Sequence, residues 1–582
     1  MNELAGFLGD VPPFTGFPPA LLDQVAARCT IVHLPAGDWL FRQRDEGDAL
    51  YVVRTGRLEL LREETTTPAN AATAVGLLGP GEALGELSLL LGEPRSLSAR
   101  AIRDSELVRL DRAEVLSLLR DSAEFAAGLT RVVAHSLHDR ALARGMADAQ
   151  GSVLTVVALH PGASIDALRT AMAAIPARRR VAVLSRPDPD TQDPADYSRI
   201  LDQAEREHDR VFLLAGAEAS SITGEPGPWD RFCLRQADRV VALVPPELHP
   251  PQPGVWPELD GCDLVFWSSP TRAHGTADWL DRLRPRSHHF VDPADLQPTL
   301  ARALRRLAGL SVGVVLSGGG ARAMAHIGAL DGLVQGGVQV DRIGGTSFGA
   351  LVGSLFALGL SPVEIASQCR HEFVRRWPFN DYTIPRAALL RGARLRGALV
   401  RMFGDECIER SPRDCFVVSA DLLSSELVVH RRGPFAHAVQ AGLALPGMLP
   451  PVRDDGRLLI DGSVLSGLPI RVMAEADEGP VIAVDVVGGR LKVRRRRRQQ
   501  ALPGIVETIS RSAIIGGSSD AAAVRRLARL VIEPDTSGVG QLDFNRLDAL
   551  VEAGRQAARA ALDSAGDLLT GNVTVQSGGD GG

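Results

Sequence analysis

A serine between two glycines offers the clearest chemistry in this chain. The pentapeptide Gly345 to Gly349, GTSFG, follows an apolar stretch and precedes the helical run Ala350 to Ala357. The G-x-S-x-G spacing at a strand-to-helix junction has the form of a nucleophile elbow, whose sharp turn lifts a serine hydroxyl clear of the sheet. Glycines suit this turn because a Cβ beside the serine would clash. The pattern predicts Ser347 as a nucleophile; the alternative is a glycine-rich turn with an idle serine.

A second glycine cluster upstream favours the nucleophile. Gly318, Gly319 and Gly320 follow the strand candidate Val312 to Leu316 and precede the predicted helix 321–333. Uncovered amides at a helix N-terminus suit a phosphate or a developing oxyanion. A nucleotide phosphate loop is excluded because no Gly-Lys-Ser/Thr follows, and the spacing of a dinucleotide site is also missing from the sequence.

Asp461 is the best candidate for the base that a serine nucleophile needs. It ends the apolar stretch LLID and is followed by a glycine. Serine hydrolases of the α/β type run nucleophile, acid and then histidine, but no histidine follows Asp461 in this sequence. His371, His430 and His437 remain alternative partners in another order, although none stands at a strand end before a glycine. The simplest interpretation is a dyad of Ser347 and Asp461.

Four segments of this region resemble the conserved blocks of the patatin-like phospholipases. They are LSGGGARAMAHIGAL, IGGTSFGALVGSLFALGL, ALPGMLPPV and LLIDGSVLSGLP. The resemblance implies an α/β hydrolase domain over 309–563 that cleaves acyl esters of phospholipids or lysophospholipids. It also implies Ser347 as nucleophile, Asp461 as base, and an oxyanion region formed by Gly318 to Gly320 with Arg322. No metal or other catalytic cofactor is required by this chemistry.

A carboxylate base limits the reactions that such a dyad favours. An aspartate with an ordinary pKa of about 3.9 is a poor base at neutral pH. We therefore expect either burial that raises this pKa or an oxyanion site that carries most of the catalysis. Esters are the expected substrates, because their leaving groups demand less help from a proton donor than those of amides.

Residues 1–135 alternate short apolar runs with glycine turns and then turn helical, which predicts a β-roll with C-terminal helices. Within it, GEALGELSLL followed by PRS combines a carboxylate, a short helix and an arginine, which together would hold a cyclic nucleotide. This segment resembles the phosphate-binding cassette of the cyclic nucleotide-binding domain. The resemblance implies Gly85 and Glu86 at the ribose, Arg95 and Ser96 at the cyclic phosphate, and cAMP or cGMP as a regulatory ligand. The alternative is a cassette that folds but does not bind.

A third region lies between these two. A helical connector is predicted over 136–150, and residues 151–308 alternate apolar strands with helical stretches, which is typical of a parallel α/β layer domain. The first strand leads into HPGASI, which lacks the glycines and lysine of a phosphate loop. The segment FCLRQAD and its context resemble the linker domain of the neuropathy target esterase group, and a scaffold is the expected role.

Composition describes a multidomain globular chain. It has 582 residues, a net charge of -6 and 23% charged residues, so no polyanion partner is implied. Six cysteines form no C-x-x-C pair, and the N-terminus lacks the features of a signal peptide, so we expect a cytoplasmic protein in a reducing compartment. The apolar run Ile343 to Leu360 contains the elbow and five glycines, which favours a buried strand and helix over a membrane span.

An arginine cluster follows the hydrolase motifs. Arg490 to Arg498 reads RLKVRRRRR, and it is interpreted as a solvated loop or as a contact of Arg494 to Arg498 with the anionic inner face of a membrane. Nucleic acid is not expected, because no aromatic residues alternate with the arginines. The tail 564–582 is polar and predicted to be disordered.

The sequence as a whole predicts a serine esterase or phospholipase that is regulated by a cyclic nucleotide. One alternative is a non-catalytic sensor or scaffold with a vestigial hydrolase domain. Another is an esterase for small soluble acyl esters.

Overall fold

The computed structural model describes most of the chain. The described residues are 3–11, 14–63, 72–130, 153–159, 181–185, 194–208, 210–215, 227–244, 249, 259, 261–271, 273, 275–476, 478–487 and 524–565. The predicted connector 136–150 and the predicted contact of Arg494 to Arg498 lie outside these residues and stay predictions. The predicted tail 564–582 starts too early, because the last helix continues to Ala565.

An antiparallel roll forms the first sheet. Its strands are β1 (Thr30–Leu34), β2 (Trp39–Phe41), β3 (Ala49–Glu63), β4 (Ala72–Leu78), β5 (Ala83–Leu84) and β6 (Ser98–Asp111), and its helices are α1 (Glu3–Gly9), α2 (Pro19–Ala26), α3 (Glu86–Leu91) and α4 (Arg112–Asp121). The predicted β-roll is confirmed. The predicted glycine turns are not all chain reversals. Strand β3 continues through Gly56, whose left-handed φ of 89° lets it shift register and continue along β6.

A parallel sheet of six strands follows, in the order β12-β11-β10-β7-β9-β8. The strands are β7 (Val153–Ala158), β8 (Val181–Leu184), β9 (Arg210–Ala215), β10 (Arg239–Val244), β11 (Asp263–Phe266) and β12 (Ser287–Phe290), with helices α5 (Pro194–Glu207), α6 (Pro228–Arg235), α7 (Thr276–Leu283) and α8 (Leu296–Leu307). All its strand pairs are parallel, and β9 and β11 are buried along their whole length. This is the predicted α/β layer.

The third sheet has eight strands, and its path runs β17-β18-β15-β14-β13-β19-β20, with β16 beside β15. The strands are β13 (Val312–Leu316), β14 (Val340–Thr346), β15 (Asp414–Asp421), β16 (Leu427–His430), β17 (Val452–Asp454), β18 (Arg457–Asp461), β19 (Val481–Val484) and β20 (Leu530–Ile532). The helices are α9 (Ala325–Gln335), α10 (Ser347–Ala357), α11 (Pro362–Cys369), α12 (Ala393–Phe403), α13 (Phe435–Gly442), α14 (Ile470–Ala474) and α15 (Leu547–Ala565). Strands β15, β14, β13, β19 and β20 are parallel, so their carboxyl ends share one edge.

Buried ion pairs join the second and third sheets. Arg306, on α8, donates to both carboxylate oxygens of Glu478, at 2.7 and 3.1 Å. Arg342, on β14, lies 3.7 Å from the same carboxylate and donates to the carbonyl of Ser311 at 3.1 Å. Burial opposes the charge on Glu478, but the two guanidinium groups lower its pKa to about 2. Two cations thus fix one anion at the amino ends of the parallel strands.

Glycines allow the last helix to close the third sheet. At Gly328 on α9 a Cβ would overlap the carbonyl oxygen of Val551 on α15, and at Gly554 on α15 it would overlap the carbonyl oxygen of Ala325. The two helices therefore cross backbone to backbone. This crossing holds the start of α9, which directly follows the triple-glycine loop.

We expect Gly328→Ala and Gly554→Ala each to destabilise the third region by about 1–3 kcal/mol, because the added methyl groups force the helices apart. Differential scanning calorimetry should show a Tm lower by about 2–4 °C for each kcal/mol. Gly397→Ala on α12 is the matched control, because its Cβ would first meet the flexible end of Arg401 at 3.3 Å. This control should keep or raise the Tm through its better helix propensity. An unchanged Tm in both crossing variants would contradict the tight crossing.

Candidate active site

Ser347 occupies a strained turn at the carboxyl edge of the third sheet. Strand β14 is buried along its whole length, and α10 begins at the next residue, Ser347, whose φ is 53°. A left-handed φ is uncommon for a residue with a side chain and points to a constraint from the surroundings. The run Ile343 to Leu360 is therefore a strand end and a helix, as the sequence predicts.

The glycines of the pentapeptide are needed for close packing on the neighbouring strand. A Cβ at Gly345 would lie 2.7 Å from the carbonyl oxygen of Leu316, and one at Gly349 would overlap the carbonyl oxygen of Ser317. The first carbonyl belongs to the last residue of β13 and the second to the residue that follows this strand. The elbow can therefore form only where these positions lack side chains, which matches the reasoning from sequence.

Asp461 meets Ser347 across two strand pairings. Thr346 pairs with Val418 on β15, and Ser419 pairs with Asp461 on β18. The hydroxyl Oγ of Ser347 donates to Oδ2 of Asp461 at 2.7 Å. The structure therefore brings together two side chains that are far apart in sequence.

The carboxylate of Asp461 is held in a dry environment. Its residue is 2% exposed, and burial raises its pKa above the ordinary value. Three hydrogen bonds oppose this rise. The Ser463 amide donates to Oδ1 at 2.9 Å, Ser347 donates to Oδ2, and the Ser463 hydroxyl also lowers the pKa. The group is thus a stronger base than a solvated aspartate and still has partners for its charge.

The three histidines left open by the sequence lie elsewhere. His371 is 4.0 Å from Glu372, His430 bonds to Ser419 at 2.7 Å, and His437 lies 3.1 Å from Asp454. Among the described residues, none of the three is bonded to the hydroxyl of Ser347 or to the carboxylate of Asp461. The geometry therefore favours the carboxylate as the partner of this serine.

The triple-glycine loop lies against the serine. A Cβ at Gly318 would be 3.3 Å from the Cβ of Ser347. The amide of Gly318 already donates to the carbonyl of Gly467 at 3.0 Å. Within the described part of the chain, no acceptor takes the amides of Gly319 and Gly320. Gly319 and Gly320 also line the cavity that holds Ser347.

Arg322 does not join this group. Its side chain is buried, and Nε donates to the carbonyl of Val539 at 2.8 Å. It is outside the lining of the cavity that holds Ser347. The Arg322 side chain thus ties the glycine loop to the segment before α15, and its predicted part in the oxyanion region stays a prediction.

His326 is a supporting residue that the sequence reasoning missed. It is fully buried on α9, and its Nε2 lies 2.8 Å from the carbonyl oxygen of Ser317. Burial lowers the pKa of His326 to about 4, so the ring is neutral near pH 7. Because a carbonyl can only accept, Nε2 carries the hydrogen. A histidine on an otherwise apolar helix face after GGG is the signal that could have found it.

A cavity of about 640 Å³ opens above the serine. Its floor holds Ser347, Asp461 and the loop of Gly318 to Gly320. Most of its other walls are apolar, with side chains that include Phe348, Phe379, Leu395, Leu427, Leu443, Leu445, Met448, Leu449, Leu465 and Leu468. The site therefore joins one polar floor to a long apolar wall, which suits a ligand with a reactive polar group and an acyl chain.

In the β-roll the structure brings Gly85 and Arg95 together. The Arg95 guanidinium is buried, and its Nη1 lies 3.3 Å from the carbonyl oxygen of Gly85. It also donates three hydrogen bonds of 2.9 Å, to Asp48 Oδ1, the Ala49 carbonyl and Ser88 Oγ. Oxygen atoms of the protein thus accept the hydrogen bonds of the arginine that the sequence predicts at the phosphate.

The other predicted cassette residues differ in exposure. Glu86 is buried at the start of α3, whereas Ser96 is exposed. Gly85 has a φ of 93°, and a Cβ there would overlap Arg95. The contact of Asp48 with Arg95 was not foreseen, because the two residues come from segments 47 positions apart.

Two family models match the chain. The model of the patatin-like phospholipase matches residues 314–474, and that of the cyclic nucleotide-binding domain matches residues 31–122. Within the described residues, no helix is long and apolar enough to cross a bilayer.

One relative is similar to this chain over almost its whole length, and two other proteins are similar over part of theirs. The chain is 33% identical to an uncharacterized NTE family protein of Mycobacterium tuberculosis, over 97% of each chain. It is 24% identical to lysophospholipase nte1 of Aspergillus fumigatus over 93% of this chain, which spans 42% of that protein. The catabolite activator protein of Thermus thermophilus shares 36% identity over 22% of this chain and 60% of that chain, with a TM-score of 0.21. The chain therefore belongs to the NTE family and is a hydrolase that joins a patatin-like phospholipase domain to a cyclic nucleotide-binding domain.

Proposed function

We propose that this chain hydrolyses acyl esters of phospholipids or lysophospholipids through a dyad of Ser347 and Asp461. The observation that carries the proposal is the 2.7 Å hydrogen bond from the serine hydroxyl to a buried carboxylate at the floor of an apolar cavity. The name of the fungal relative, a lysophospholipase, supports the same substrate class. As part of this proposal, we expect the reaction to take place at the cytoplasmic side of a membrane.

The reaction begins with transfer of the acyl group to the serine. Asp461 takes the proton of Ser347 as Oγ attacks the ester carbon, and the oxyanion that forms is met by the amides of Gly319 and Gly320. The bond to the leaving alcohol then breaks, and the protonated Asp461 gives its proton to that oxygen. Water attacks the acyl-enzyme in the second half of the reaction, with Asp461 again accepting a proton and returning it to Ser347.

Substitution of the dyad tests its two roles. We expect Ser347→Ala to lower turnover of a lysophospholipid by about 10⁶-fold, as for other serine nucleophiles, and to abolish labelling by a fluorophosphonate. Asp461→Asn keeps the shape of the side chain but removes the base, and turnover should fall by about 10²–10⁴-fold. Fatty acid release, followed by mass spectrometry, is the measurement.

Asp454→Asn is the matched control for Asp461→Asn. Asp454 ends β17, the strand beside β18, and pairs with His437 rather than with the serine. It should keep activity within a few-fold. If the wild type neither releases fatty acid from any lipid nor reacts with the fluorophosphonate, the domain is a scaffold and the proposal is wrong.

The pH dependence identifies the base. Because burial raises the pKa of Asp461 above 3.8, the reactive carboxylate accumulates only as the pH rises through the raised value. We expect kcat/KM to increase with pH along one acid limb whose midpoint lies above 3.8. The Ser463 hydroxyl helps to lower this pKa, so Ser463→Ala should move the limb to higher pH.

Ser466→Ala is the control for this shift, because Ser466 also lines the cavity wall but does not contribute to the pKa of Asp461. The rise of kcat/KM with pH should have the same midpoint in Ser466→Ala as in the wild type. A rise of kcat/KM with its midpoint near pH 6.5, left unchanged by Ser463→Ala, would point to a histidine base and against the dyad.

Regulation of this activity by cAMP or cGMP is the second part of the proposal. A ligand can regulate the hydrolase only if it binds two states of the chain with different affinity. The β-roll contacts the middle layer through Arg103, whose Nη2 donates to Glu205 at 2.8 Å and whose Nε lies 3.6 Å from Asp238. The middle layer in turn contacts the hydrolase through Arg306 and Glu478. These buried contacts supply a physical connection.

Asp48→Asn tests the nucleotide site. Asp48 competes with a cyclic phosphate for Arg95, so loss of its charge should tighten binding of cAMP or cGMP by up to about fivefold, the upper end for an ion pair whose carboxylate is exposed. Isothermal titration calorimetry on the full chain is the measurement. Asp111→Asn is the control, because Asp111 pairs with Arg109 at 2.8 Å and not with Arg95. Absence of binding in all three proteins would identify the β-roll as a structural module.

A further inference from the structure

An exposed apolar hairpin stands at the rim of the active-site cavity. It spans 381–391 and is closed by a backbone bridge between Tyr382 and Leu390. Tyr382 is 70% exposed and Ile384 is 80% exposed. Tyr382 and Ile384 thus belong to the most exposed large hydrophobic side chains that the structure describes in the hydrolase region. Neither position contributes to the core of its own domain.

The hairpin is attached directly to the wall of the cavity. The amide of Leu389 donates to the carbonyl of Gly447 at 2.9 Å, and the amide of Leu390 donates to the carbonyl of Met448 at 3.0 Å. Met448 lines the cavity. The strand that holds Leu389 and Leu390 is therefore fixed by backbone bonds. The exposed side chains of Tyr382 and Ile384 on the other strand, called the tip below, project into solvent.

The segments that flank the hairpin also reach the cavity. Phe379 precedes the hairpin and Leu395 follows it, and both line the apolar wall above Ser347. The exposed tip and the buried wall thus belong to one continuous stretch of chain. A molecule that leaves a lipid surface beside the tip would meet the apolar wall next.

Positive charge is carried by the hairpin and by the start of the helix α12 that follows it. Between residues 380 and 396 the chain carries four arginines, Arg386, Arg391, Arg394 and Arg396, against one acid, Asp381. All four arginines are exposed. A net charge of +3, from four arginines less one aspartate, attracts an anionic surface, while a protein partner would not require this combination of cations with a tyrosine and an isoleucine at the tip.

We propose that hairpin 381–391 docks the chain on an anionic lipid bilayer, with Tyr382 and Ile384 entering the interface and the surrounding arginines contacting lipid phosphates. Tyrosine is favoured at the boundary of headgroups and acyl chains because it has an apolar ring and a polar tip. Shallow apolar insertion combined with basic residues gives reversible binding. The inference rests on the proposed function in one respect, that the cavity below accepts an acyl chain.

The docking experiment uses the full chain with Ser347→Ala, so that lipid is bound but not consumed. Cosedimentation compares vesicles of phosphatidylcholine alone with vesicles that also contain phosphatidylglycerol. We expect Tyr382→Ser combined with Ile384→Ser to weaken partitioning by about tenfold or more on the anionic vesicles. Val363→Ser combined with Leu91→Ser is the matched control, because Val363 is 76% and Leu91 is 65% exposed and both lie outside the hairpin. Control and parent should bind alike.

A triple variant measures how much the arginines contribute to vesicle binding. It combines Arg386→Gln, Arg391→Gln and Arg396→Gln in one protein. Binding to anionic vesicles should fall by about fivefold per arginine at low salt, and the preference for anionic over zwitterionic vesicles should shrink accordingly. Added salt should remove the same preference from the parent. Unchanged partitioning in both the tip and the arginine variants would overturn the proposal and leave the hairpin to another partner.

Two further measurements separate docking from catalysis. In the active background, the tip variant should hydrolyse a soluble monomeric ester at the parental rate and lose activity on vesicles. Ile384→Trp in the Ser347→Ala chain gives a positive signal, because its emission should shift to the blue and be quenched by lipids with brominated acyl chains. A tryptophan that remains in water on anionic vesicles would contradict insertion even if the esterase activity is confirmed. Conversely, insertion without turnover of any ester would support docking while the proposed hydrolysis fails.

Discussion

The left-handed backbone at Ser347 is the constraint on which the site depends. A φ of 53° at a residue with a side chain is unfavourable by itself, so the surroundings must impose it. They do so from both sides, since the strand before it is fully buried and the helix after it is almost entirely apolar and buried. The glycines at 345 and 349 let this helix approach the end of β13. The same approach brings the triple-glycine loop against the serine. The close packing of α10 on β13 is thus the cause both of the strained backbone at Ser347 and of the contact with the glycine loop.

The carboxylate poses the opposite problem, because burial favours its neutral form. A fully buried Asp461 without partners would stay protonated and could not act as a base. The Ser463 amide and the Ser347 hydroxyl prevent this by stabilising the charged form. In the proposed reaction, the partner Ser347 becomes an anion as it loses its proton, which raises the proton affinity of the carboxylate that accepts this proton. Low exposure and few partners together suit proton transfer between these two groups.

Motifs that are contiguous in sequence could be predicted, and contacts between distant segments could not. The elbow at Ser347, the three glycines and Asp461 each occupy a local pattern whose geometry follows from backbone sterics. By contrast, the carbonyl that captures Arg322 lies 217 positions along the chain, and no local pattern announces it. The amide of Gly318 is likewise taken by a distant carbonyl, from Gly467. The fold classes of the first two regions followed from the alternation of apolar runs with turns or helical stretches, and that of the third followed from the resemblance of its motifs to a known family. The choice of partner for each polar group depended on tertiary packing.

The two ends of the third sheet have different tasks, and this separation limits how any signal can reach the serine. Contacts with the middle layer lie at the amino ends of the strands, where Arg306 and Arg342 surround Glu478. The nucleophile lies at the carboxyl end of β14, which has seven residues and therefore spans about 23 Å. A buried strand is too stiff to stretch over that distance, so a change at the ion cluster can reach Ser347 only as a shift of the whole strand against its neighbours. Such a shift would move the elbow relative to β18, and with it the distance between the serine hydroxyl and the carboxylate. Regulation through this path would therefore act on the geometry of the dyad itself.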